Sequence, residues 1–98
     1  MTGNYIPISS WAEDDKPREK MLSKGVATLS TNELLAILIR SGCGGESALD
    51  LSRRILTDAS NDLNTLARLS VSDFMNRYKG VGMAKAASII AAMELGRR

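Results

Sequence analysis

Histidine is absent from all 98 residues. That absence removes imidazole zinc sites, Ser-His-Asp triads and Cys-His pairs, because each needs the ring as ligand or base. Cysteine occurs once, at Cys43, so no disulfide framework exists and the chain suits a reducing compartment. Aromatic residues make up only 4% of the sequence. Apolar volume must therefore come from Leu, Ile, Ala and Met, a palette that favours helices over strands. Long hydrophobic runs are missing too. The longest, "LLAILI" over 34–39, falls well short of the roughly 20 residues of a membrane span, and no signal-peptide core follows Met1. Acidic residues cluster only at "EDD" (13–15), a run that reads as solvated. These absences lead to the expectation of a soluble, cytoplasmic chain with no membrane partner, no metal or cofactor and no catalytic residue of its own.

What is present is helical patterning. Residues 1–16 lack periodicity and read as an extended N-terminal arm, docked by Tyr5, Ile6, Ile8 and Trp11, with Pro17 opening a short helix that Gly25 ends. Ser30 followed by Glu33 forms a capping-box pattern ahead of an apolar helix over 34–39. Ser47 reads as an N-cap with Asp50 in the first turn, and Ala48, Leu51 and Ile55 share one face. A loop is expected around 60–64, then a turn of helix, then a helix capped by Ser70 or Ser72. A final helix runs from the glycines at 80 and 82 to the C-terminus. No segment alternates with period two. The fold class is all-α: a compact bundle of about five or six short helices over 17–98.

The two glycine breaks resemble each other. Gly80-Val81-Gly82 is followed by Ala86, and Gly42-Cys43-Gly44 by Ala48, a constant offset of 38 residues that also pairs Ile37 with Met75, Leu51 with Ile89 and Ile55 with Met93. We read this as a tandem repeat of helical hairpins, the first over about 30–57 and the second over about 70–96. Within each, the glycines allow a tight turn, the middle residue (Val81 or Cys43) plugs the gap, and the alanine lets the helices approach. A helix opening at glycine also presents unfilled amides to an anion. Lys79 and Lys85 flank the second break, whereas Ser41, Ser47 and Glu46 stand around the first. From residue 77 onward, five basic side chains face Glu94 alone. Lys79, Gly80, Val81, Gly82, Met83 and Lys85 are therefore the candidate phosphate-contacting residues. Gly42, Gly44 and Gly45 form a weaker second candidate in which packing outweighs binding.

"YKGVGMAKAASII" resembles the helix-hairpin-helix motif of DNA repair and recombination proteins, although Met83 stands where that motif often has proline. "DKPREKMLSKGVATLSTNELLAILIRSGCGGESALDLSRRIL" resembles the N-terminal region of the RadC family. The resemblance spans about Ile8 to Arg98. It implies a DNA-repair context, a DNA partner held by backbone contacts, and a following JAMM-type metal domain as a second partner, whose histidine-containing motif this chain lacks. A protein-interaction scaffold and the non-catalytic lobe of a metallohydrolase remain the alternatives.

Overall fold

The computed structural model describes residues 5–40, 42 and 45–98, with side chains from residue 15 onward. These residues form six α-helices and a 3-10 turn, with no strand among them: α1 (Tyr5–Lys24), the turn (Val26–Thr28), α2 (Thr31–Ile39), α3 (Ala48–Asp58), α4 (Leu63–Ala67), α5 (Val71–Arg77) and α6 (Met83–Arg97). The all-α expectation is met.

The N-terminal arm is the main departure. Residues 5–16 are helical, and Pro17 lies inside the 20-residue α1 instead of opening it. An interior proline forfeits one i→i−4 hydrogen bond. Here its ring is fully buried, and that apolar burial offsets the lost bond. Lys20 ties α1 to α2 through both carboxylate oxygens of Glu33, at 3.1 and 3.3 Å. Gly25, at φ 92°, ends α1 as expected, its N–H donating to the Met21 carbonyl at 2.9 Å. The roles expected for the side chains of Tyr5, Ile6, Ile8 and Trp11, and for Cys43 and Gly44, lie outside the described residues.

Caps account for most helix starts. Ser30 and Glu33 close the expected capping box on α2, and Ser70 with Asp73 forms a second one on α5. The Ser47 hydroxyl accepts from the Asp50 amide at the start of α3. Asp62 caps α4, so helix begins at Leu63, inside the segment expected to be loop.

One apolar cluster holds the bundle. α2 packs on α3 and α6, α5 and α4 pack on α6, and α1 lies against α2. Leu35, Ala36 and Ile39 from α2 meet Leu51, Ile55 and Leu56 from α3, Phe74 from α5, and Ala86 and Ile89 from α6. Along the apolar run of α2, Leu35, Ala36 and Ile39 are buried, Ile37 and Leu38 half-buried, and Leu34 exposed. Ser52 is the buried polar residue of the described core, and its hydroxyl donates back to the Ala48 carbonyl at 2.6 Å. That back-bond satisfies the hydroxyl without a partner helix.

Candidate nucleic-acid interface

The second glycine break is a five-residue connection, residues 78–82, between α5 and α6. Tyr78 closes α5 with its N–H on the Phe74 carbonyl, and Val81 then donates to the Tyr78 carbonyl, both at 3.0 Å. This tight turn requires Gly80 at φ 93°, a region that side chains avoid. Val81 is 4% exposed and belongs to the core cluster. It is the expected plug, and both its side chain and its amide are used internally. Val81 therefore shapes the hairpin from within and offers nothing outward.

The other candidates face solvent. Lys79, Gly80, Gly82 and Met83 are exposed, and Lys85 is half-buried on the first turn of α6. The amides of Gly80, Gly82, Met83 and Ala84 have no acceptor among the described residues, and the first intrahelical bond of α6 runs from Ala86 to the Gly82 carbonyl. Helices α2 to α5 begin with a side-chain cap; α6 begins at a glycine that has none. Gly82 sits at φ −78°, ψ 173°, and a Cβ built on it meets nothing within 4 Å. Neither its backbone angles nor its immediate surroundings exclude a Cβ there. Ala86, by contrast, is fully buried where α6 meets the bundle.

The first break is built differently. α3 starts at Ala48, six residues past Gly42, whereas α6 starts three residues past Gly80. Ala48 and Ala86 are both fully buried, as are Leu51 and Ile89, so the 38-residue register matches at the core while the two loops differ. A Cβ on Gly42 would collide with the backbone carbonyl of Glu46. Gly45 is exposed at φ 82°, ahead of a helix start already capped by Ser47. Here glycine serves close backbone packing, and the α3 terminus is filled from inside.

Four side chains connect the two breaks, and no local pattern announces them. Tyr78, 2% exposed, donates its hydroxyl to Asp58 at 2.8 Å. The Arg54 guanidinium lies over the same ring, 5.4 Å from its centroid, and donates twice to Glu46, at 3.2 and 3.0 Å. Burial, then the Asp58 carboxylate beside it, pushes the Tyr78 phenol up to about 12. Sequence reading also passed over Arg40, which stands two residues before Gly42 and not at the positions matching Lys79 or Lys85. In space, Arg40 shares a groove with Lys85 at the junction of α2 and α6.

The UPF0758 N-terminal family matches residues 8–87 of this chain. The chain belongs to that family. A UPF0758 protein from Flavobacterium johnsoniae is 56% identical over 98 residues, which is 100% of this chain and 42% of that relative. UPF0758 proteins from Geobacter sulfurreducens and Trichlorobacter lovleyi are 48% and 46% identical over 93 residues each, covering 93% of this chain and 40% of theirs. This UPF0758 domain thus spans about two fifths of the length of the curated relatives it matches. No solved structure matches it. Among its described residues no helix is long and apolar enough to cross a membrane, and no group of three or more His, Cys, Asp or Glu could hold a metal ion.

Proposed function

We propose that this UPF0758 domain is a sequence-independent DNA-binding module of a RadC-like repair protein, a helix-hairpin-helix unit that grips backbone phosphate at the α5–α6 hairpin. The observation that supports it most is Gly82. Neither dihedral angle nor space demands glycine there, and a serine would cap α6 better. A glycine at that point keeps the amides of Met83 and Ala84 open to an outside acceptor, as a phosphate requires. Lys79 and Lys85 add full charge beside those amides. Contacts of this kind position the backbone without reading bases. In the longer relatives, such a module would bring the remainder of the chain to DNA.

With two or three phosphate contacts, the dissociation constant is expected on the order of 10⁻⁴–10⁻⁶ M at physiological salt, with log K falling against log[salt] at a slope of about −2 to −3. Fluorescence anisotropy with short single-stranded, duplex and branched DNA across a salt series tests this. Gly82→Ser and Lys85→Glu should both weaken binding while circular dichroism shows each variant folded. Binding indifferent to salt and to both substitutions would reject the DNA reading and favour a protein-interaction scaffold.

A further inference from the structure

The groove between the end of α2 and the start of α6 is lined by Leu38, Ile39, Arg40, Ala84, Lys85 and Ser88. Among the described residues its polar side chains are two cations and a hydroxyl, with no carboxylate. We infer that this groove is a second phosphate seat, in which Arg40, Lys85 and Ser88 hold the DNA backbone next to the Gly-Val-Gly hairpin. The inference rests on the DNA-binding reading and extends its contact surface to the first half of the chain.

Arg40 is the residue that decides it. Arg18, Arg53, Arg54, Arg97 and Arg98 all pair with carboxylates. Arg40 is exposed and its guanidinium has no ion pair or hydrogen bond among the described residues. Its backbone sits at φ 75°, ψ −55°, where glycine is at ease and an L side chain is strained. That strain occurs at the C-cap of α2, beside the groove. The guanidinium fork donates to two phosphate oxygens at once, Lys85 supplies a compact charge, and the Ser88 hydroxyl is a neutral donor one turn along α6. Because Arg40 comes from α2 and the other two from α6, the seat forms only when these helices pack.

The conformation of Arg40 makes the test sharp. Arg40→Gly removes the guanidinium and relieves the backbone together. The variant should melt at or above the wild-type temperature, yet bind a short duplex roughly three- to tenfold more weakly, with the salt slope smaller by about one. Arg40→Gln should lose the same slope, and Arg40→Lys should keep it. Inorganic phosphate, added against chloride at equal ionic strength, should displace no more DNA than chloride does. Saturable displacement by phosphate alone would instead make the groove a free-anion site and overturn the assignment to DNA. Wild-type binding by both Arg40→Gly and Arg40→Gln, alongside weakened binding by Lys79→Gln, would overturn the groove while leaving the hairpin reading intact. A wild-type chain with no salt-sensitive DNA binding would remove both.

Discussion

Tyr78 is tied on every side: its ring tilts against Phe74 at 5.2 Å between centroids, Arg54 covers the other contact, and its hydroxyl reaches Asp58. Its folded-state pKa of about 12 lies above the ordinary 10.0. A raised folded pKa means the associated stability is fully present below about pH 10 and is lost as pH climbs towards 12. Equilibrium urea unfolding across that alkaline window should show a fall that Tyr78→Phe largely abolishes. At neutral pH the same substitution should cost about 1.5–3 kcal/mol, the range for one hydrogen bond to a charged acceptor. Gly80 is the second residue with a sharp expectation. Its φ of 93° makes Gly80→Ala destabilising by about 1–2 kcal/mol, whereas Gly82→Ala, at φ −78° in open space, should leave the melting temperature close to wild type. Thermal unfolding of the pair separates a glycine needed by the fold from one the fold merely permits.

At the scale of elements, the two capping boxes contribute to acid behaviour, as does Glu94, held low by Arg97 and Arg98. The backbone N–H of Ser30, then the Lys20 ammonium, holds the Glu33 carboxyl below its ordinary value, and the Ser70 backbone N–H does the same for Asp73. Lowered folded values contribute stability that is present above the ordinary carboxylate range and disappears as pH falls through the folded values. Melting temperature should therefore be flat near neutrality and decline below about pH 4.5. Ser30→Ala should cost about 1 kcal/mol and flatten part of that decline, as circular dichroism melts would show. These starts were legible because a cap is local: Ser30, Ser47 and Ser70 each lie three residues from the group they serve. Only the part of α1 after Pro17 was legible, since an interior proline reads locally as a boundary and only its burial makes it tolerable. The first loop misled for a related reason. Matching glycines suggested matching hairpins, yet Ser47 delays the start of α3 to Ala48.

For the whole molecule, the core is one contiguous cluster drawn from α2 to α6, so urea should unfold the chain in a single cooperative transition. Ile89→Ala, at a fully buried position on α6, should shift its midpoint by the equivalent of about 2–5 kcal/mol. Helical class, the register of the core and the candidate second hairpin were readable from composition and spacing. The alignment of Arg40 with Lys85, and the contacts of Tyr78 with Asp58 and Arg54, were not, because partners 20 or more residues apart meet only through tertiary packing. Net charge shows the same limit. A formal +2 spread over 98 residues says little, whereas the fold brings Arg40 and Lys85 into one groove where α2 meets α6.

Val81 gives the hairpin an internal clock. With its side chain in the core and its N–H held by Tyr78, its amide hydrogen should exchange with deuterium only when the whole domain opens. The neighbouring Gly82 amide, exposed and without an acceptor, should exchange fast in the same protein. On the proposed reading, such a loop would meet phosphate already ordered, so binding would freeze almost no backbone motion and need no slow ordering step.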